Sequence, residues 1–228
     1  MDEDSGTEAQ TAPAPRIRPA SDRSLLVSFG DEIGVENHVR VKRLTEALAG
    51  VRGVLNLHPA FASVLIDFDP RFRTHEEIEA LVRRRLAGVD LEAGNPVESA
   101  RTIEIPVQYG GESGPDLEDV ARHAGMAAER VVKIFSAAHY LVYFVGFATC
   151  FPYLEGLAPE LAMPRLATPR KHVPAGSVAI GGAQAGIYPL ASPGGWRLIG
   201  RSALPLFDPA GEPPPLLRMG DRVRFPPA

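Results

Sequence analysis

The sequence predicts an α+β first half followed by a mainly β second half. Two observations carry that reading: the uneven distribution of glycine and proline, and the shortness of the later segments. The chain has 228 residues, with 22 glycines and 22 prolines. Of these 44 residues, 31 follow Ser99. Both residue types end helices and mark turns, so the second half is the turn-rich one. With 45% hydrophobic and 23% charged residues, the chain can bury a real core. The expected organisation is a loose tail over residues 1–15, an α+β domain over 16–98 and a mainly β domain over 99–228.

The first half reads element by element. Leu25-Leu26-Val27-Ser28-Phe29 is a short apolar strand stopped by Gly30-Asp31. Val35, Val39, Leu44 and Leu48 recur at near-helical spacing, and Gly50 supplies a C-terminal stop. Residues 53–57 and 63–68 form two further strands, closed by His58-Pro59 and Asp69-Pro70. Thr74 and Glu77 have the spacing of a capping box, ahead of a helix that puts Ile78, Leu81, Val82 and Leu86 on one face. The order β-α-β-β-α is most of a ferredoxin-like unit. Its last strand is expected near Leu91 or is missing.

The second half opens with the alternating residues 101–107 and continues with two helical stretches, 116–123 and 127–137. Short segments bounded by Gly and Pro follow at 140–147, 177–181, 186–190, 196–199, 204–207 and 222–225. Strands of this length and spacing favour a barrel or a sandwich over a parallel sheet.

Composition excludes several classes. One cysteine rules out an internal disulfide framework and a Cys-rich zinc module. A net charge of -4 argues against nucleic-acid binding. The longest apolar stretch, residues 140–154, is shorter than a membrane span and contains Pro152. The acidic N-terminus lacks a basic-then-apolar leader, so the expected location is cytoplasmic. P-loop, dinucleotide-binding, G-x-S-x-G and H-E-x-x-H spacings are absent, and no two of the six histidines have metal-ligand spacing. The run Gly110-Gly111-Glu112-Ser113-Gly114 reads as a turn, since it lacks the Lys-Ser/Thr ending of a phosphate cradle. His139 is placed where a general base could stand, although histidines without catalytic duty are commoner, and Cys150 is expected to be a small buried hydrophobe.

The stretch 163–201 carries the candidate chemistry. Met163-Pro164-Arg165 and Thr168-Pro169-Arg170 present two arginines on proline-fixed backbone, and a guanidinium fork suits a carboxylate or phosphate. Solvated loop arginines explain the spacing equally well. Gln184, Tyr188 and Trp196 lie among glycines that permit close backbone approach to a ligand.

These same residues carry a family resemblance. Ile105-Pro-Val-Gln-Tyr-Gly-Gly-Glu-Ser-Gly-Pro-Asp-Leu117, Phe151-Pro-Tyr-Leu154, Val173-Pro-Ala-Gly-Ser-Val178, Gly186-Ile-Tyr-Pro-Leu190, Ser192-Pro-Gly-Gly-Trp-Arg-Leu-Ile-Gly200 and Leu206-Phe-Asp-Pro209 resemble the family of the 5-oxoprolinase B subunit, also called allophanate hydrolase subunit 1 or KipI. The resemblance runs from about Arg16 to Phe225. It implies a small α+β domain and a cyclophilin-like β-barrel. It also implies work in a complex with 5-oxoprolinase subunits A and C, one of them carboxyltransferase-like, that opens 5-oxo-L-proline to L-glutamate with ATP as cosubstrate of the complex. An inhibitor of a sensor histidine kinase and an allophanate or ureido-acid hydrolase subunit are the alternatives it leaves.

A lactam is an unreactive amide, and phosphorylating its oxygen creates a leaving group whose charge cationic donors offset. Arg165, Arg170 and Arg201 are the candidates for that role. Ser177, Gln184 and Tyr188 are candidates for orienting contacts, and Trp196 for an apolar wall. No metal ligands are expected. The chain departs from the family pattern at Thr149-Cys150, where Pro-Gly is common, so Cys150 stands in a glycine's place.

Overall fold

The computed structural model describes residues 14–88, 100–146 and 149–228, which divide into two units, Met1–Ala93 and Gly94–Ala228. The first is a four-stranded antiparallel sheet with two helices. Its elements are β1 (Arg16–Ser21), β2 (Ser24–Ser28), α1 (Val35–Leu48), β3 (Val54–Pro59), β4 (Ser63–Phe68) and α2 (His75–Gly88). The strand order is β1-β2-β4-β3. Along β4 every second side chain is buried, so Val64, Ile66 and Phe68 meet Leu25, Val27, Leu44, Leu48, Ile78 and Val82 in one core. Each such side chain fully removed from water contributes about 1.5–3 kcal/mol before entropy is counted. The capping box forms as expected: the Thr74 N–H donates to Glu77 Oε2 at 2.9 Å, and the Glu77 N–H to Thr74 Oγ1 at 3.3 Å.

One strand has no hydrophobic signature. β1 is polar and contains Pro19, which hides it from a pattern reading, yet it pairs with β2 along the sheet edge. The strand expected near Leu91 lies outside the described residues.

The second unit is a curled sheet with a helical cap. It comprises β5 (Thr102–Glu104), β6 (Gln108–Tyr109), α3 (Leu117–His123), α4 (Ala128–Ala137), β7 (Tyr140–Gly146), β8 (Phe151–Glu155), β9 (Arg170–Val173), β10 (Ser177–Gly181), β11 (Gln184–Ile187), β12 (Ser192–Gly194), β13 (Arg197–Arg201) and β14 (Arg222–Arg224). Eight strands form one sheet in the order β5-β14-β7-β8-β11-β10-β13-β6, and β12 pairs with β9 in a separate ribbon.

The curl follows from chain connectivity. Laid flat, the two edge strands of such a sheet would stand about 34 Å apart at the usual strand spacing. Only residues 105–107 connect β5 to β6, and that segment spans about 14 Å at most. The sheet therefore bends into a half-barrel. The Tyr109 hydroxyl donates to the Phe225 carbonyl at 2.8 Å across the gap. Inside lie Ile105, Val107, Val131, Phe135, Tyr140, Val178, Ile180, Ile187, Ile199 and Phe225. A second apolar cluster, Phe151, Val173, Ala179, Tyr188, Trp196 and Leu198, forms around Trp196.

One expectation needs correction. Residues 204–207 form no strand: Leu204 and Pro205 are exposed, and the only strand-like pairing there is a single bridge from Phe207 to Pro215. β8 lies inside the sheet despite Pro152, because its pairing with β11 covers only Tyr153 and Leu154. Pro152, which has no N–H to offer, sits opposite Val145 of β7 beyond the end of that ladder.

Candidate functional site

An aromatic-walled cavity of about 350 Å3 opens beside β8, and it is lined by Phe151, Tyr153, Arg165, Tyr188, Gly194 and Trp196 among others. Phe151 and Tyr153 are two apart on β8 and so share a face. Phe151 is the hub. Its ring meets Tyr188 at 5.0 Å, Trp196 at 5.3 Å and Tyr153 at 5.3 Å, each edge to face. Such contacts favour perpendicular rings because a positive edge meets a negative face.

This packing requires glycines. A Cβ at Gly194 would stand 2.2 Å from Tyr188 Oη, and one at Gly186 would stand 2.7 Å from Phe151 Cζ. No side chain fits either place.

The rim is tied down by backbone bonds. The Leu166 N–H donates to the Gly195 carbonyl at 2.7 Å, and Arg197 Nε to the Pro164 carbonyl at 3.2 Å. Arg165 is thereby held with its guanidinium over the Trp196 ring, 5.3 Å from the centroid. Burial raises the pKa of the Tyr188 hydroxyl, against the Trp196 backbone N–H and the charges of Arg165 and Arg170. Burial raises that of Tyr153 likewise, with Arg165 opposing. Both phenols stay neutral at pH 7 and can donate hydrogen bonds. The cavity thus offers apolar faces, two hydroxyls and one cation.

The predicted residues divide. Arg165, Tyr188 and Trp196 meet in this cavity. Arg170 is committed elsewhere: its Nη2 donates to Asp116 Oδ1 at 2.7 Å, and its Nη1 reaches the Trp196 carbonyl at 3.5 Å. Arg201 lines a different cavity. Ser177 is buried at the start of β10, where its carbonyl accepts the Tyr188 N–H at 2.9 Å. Gln184 stands at the β10–β11 turn, opposite Gly181, and lines neither cavity. The three arginines do not converge on one point.

Sequence reasoning misses Phe151, Tyr153 and Asp116 as site residues, although all three fall within motifs that carry the resemblance. The i, i+2 aromatic pair on one strand is the available signal for the first two. Among the described residues no group of three His, Cys, Asp or Glu side chains could hold a metal ion. Cys150 has φ 61, the left-handed region, and is the one non-glycine with positive φ among the described residues. Its side chain is half-buried, not buried as expected, and that partial burial pushes its thiol pKa up, away from a nucleophile's range. No described helix is long and apolar enough to cross a membrane.

A mixed α/β chain ending in a curled β half-barrel, with an aromatic pocket carrying one arginine, defines the class. Residues 15–217 match the model of the carboxyltransferase domain, subdomain C and D. The 5-oxoprolinase B subunit of Escherichia coli O157:H7 is 42% identical over 205 residues, covering 90% of this chain and 92% of that one. The crystal structure of TTHA0988 superposes with a TM-score of 0.80 at 40% identity, covering 90% of this chain. The chain spans only 40% of that longer molecule. The urea amidolyase of K. lactis, at 21% identity and a TM-score of 0.75, shares the fold over 95% of this chain and 15% of its own. The chain belongs to the 5-oxoprolinase B-subunit family of carboxyltransferase C and D domains.

Proposed function

We propose that this chain is the B subunit of an ATP-dependent 5-oxoprolinase, acting with subunits A and C to open 5-oxo-L-proline to L-glutamate. The observation that carries the reading is the 42% identity to the 5-oxoprolinase B subunit of Escherichia coli O157:H7, which spans 90% of this chain. The aromatic cavity supports it chemically. A five-membered lactam presents an apolar ring edge for the aromatic wall and a carbonyl for a tyrosine hydroxyl. Its carboxylate suits Arg165. A kinase inhibitor that docked through this cavity would need an apolar patch without convergent polar groups, and Arg165, Tyr153 and Tyr188 converge here.

The cavity does not fit ATP. It carries Arg165 as its one cation, and the described residues hold no metal-binding group to accompany a triphosphate. ATP accordingly binds elsewhere in the complex, and this subunit orients the lactam. Arg170 and Arg201 do not take part in that orientation; Arg170 supports the fold and Arg201 belongs to the second cavity. The ferredoxin-like and cyclophilin-like assignments of the two units, and the boundary at 98/99, form part of the same reading.

The test is reconstitution with the partner subunits and an assay of glutamate released from 5-oxo-L-proline. Release that depends on ATP and on all three subunits is expected. An intact complex that releases none rejects the reading.

A further inference from the structure

We propose that the half-barrel carries a second ligand site, separate from the aromatic cavity, for a small organic carboxylate with a short apolar body. The cavity has a volume of about 730 Å3, within the range of small-ligand pockets. Its cation is Arg201, whose Nε is anchored on the Ala175 carbonyl at 3.0 Å. Arg201 forms no ion pair with any carboxylate among the described residues, so its two terminal nitrogens remain available as a fork.

The polar neighbours are placed by the fold. Gln108 stands directly opposite Arg201 in the β6–β13 register, so their side chains leave the same face of the sheet. Ser113 comes from the glycine-rich loop whose sequence reads as a plain turn. That loop is pinned to β13 by the Gly110 N–H on the Ile199 carbonyl at 3.1 Å and by the Asp116 N–H on the Leu198 carbonyl at 2.9 Å. Gly176 closes another wall with φ 79, and a Cβ there would lie 2.1 Å from the Ser202 carbonyl oxygen. The wall is thus fixed in place.

The donor set selects the ligand. One guanidinium, one amide and the hydroxyls of Ser113 and Ser202 match a planar carboxylate, whereas a dianionic phosphate would leave a charge uncompensated. Pro106, Pro189, Leu204 and Pro205 offer apolar contact to the rest of the molecule.

The experiment is a 1H–15N NMR titration of the full chain with butyrate, with butyramide and inorganic phosphate as comparison probes. Butyrate is expected to move the Ser113, Ser202, Ala203 and Leu204 amides to saturation, with a Kd in the roughly millimolar range. Butyramide is expected to leave them in place. Arg201→Met weakens the response at least about tenfold while the spectrum stays dispersed, and Ser113→Ala weakens it in a chain whose Arg201 anchor is untouched. Shifts that follow ionic strength alone, an equal response to phosphate, or shifts confined to the Trp196 indole overturn the proposal. It stands independently of the 5-oxoproline reading.

Discussion

Asp116 accepts the Arg170 guanidinium at 2.7 Å and, through its other oxygen, the Leu198 N–H at 2.7 Å. One buried carboxylate therefore joins the start of α3, the β9 ribbon and β13, the strand that follows Trp196. An arginine that spacing alone offers for chemistry is part of the frame behind the aromatic cavity.

Removing that carboxylate should cost more than removing the arginine. Asp116→Ala leaves the buried Leu198 N–H without its partner and strips a half-buried cation of its carboxylate, a loss of about 3 kcal/mol. Arg170→Ala should cost about 1–2 kcal/mol, because the buried carboxylate left behind keeps the Leu198 N–H. Urea denaturation of both variants checks the order, and a neutral Asp116→Ala would contradict it.

The close approach of Gly194 to Tyr188 makes a second prediction. Gly194→Ala should destabilise the chain by about 1–3 kcal/mol, as overpacking does. The chain has one tryptophan, so the variant should also shift its fluorescence. Gly34→Ala, where nothing lies within 4 Å of the added carbon, is the control expected to leave the fluorescence unchanged.

Cys150 holds a left-handed backbone that glycine adopts without strain. Cys150→Gly should stabilise the chain by about 0.5–1 kcal/mol, the relief of strain exceeding the added unfolded-state entropy. Cys150→Val should destabilise it. Thermal melts of the two variants moving in the same direction would refute the strain argument.

Asp67 in β4 accepts from His58 of β3 at 2.9 Å and from Ser24 of β2 at 2.8 Å, pinning three strands on the face away from the core. The His58 hydrogen bond is the chief cause that lowers the Asp67 pKa below 3.8. A lowered carboxylate pKa contributes stability above the unfolded value and loses it as pH falls through the folded one. The urea midpoint of the wild type should therefore exceed that of Asp67→Asn near neutrality, and the gap should close as pH drops below 3.8. A gap that persists unchanged at acid pH would contradict the assignment.

Much of the fold is legible in the sequence because hydrophobic period reports burial directly. Val64, Ile66 and Phe68 alternate, and Thr74 with Glu77 announces the start of α2. What pattern cannot report is pairing between distant polar residues: Asp116 and Arg170 are 54 positions apart. Pro19 and Pro152 conceal two strands, since proline is tolerated where a ladder has an edge or an end. In the site, spacing brings Arg165, Tyr188 and Trp196 forward together. Arg170 and Arg201 do not join them: the proline before Arg170 fixes its backbone but not its partner, Asp116, and Arg201 follows Gly200 on β13 at the other cavity.

Arg165 over Trp196 is the contact on which placement of the lactam rests. The direct measurement is the ATP-dependent kcat/KM for glutamate release by the reconstituted complex containing Arg165→Met. The cation–π contact contributes only about 0.5–1 kcal/mol to stability, so the variant should fold and assemble. Its kcat/KM for 5-oxo-L-proline should fall by about a hundredfold. Full activity in the assembled variant complex would contradict the placement of the lactam in the aromatic cavity.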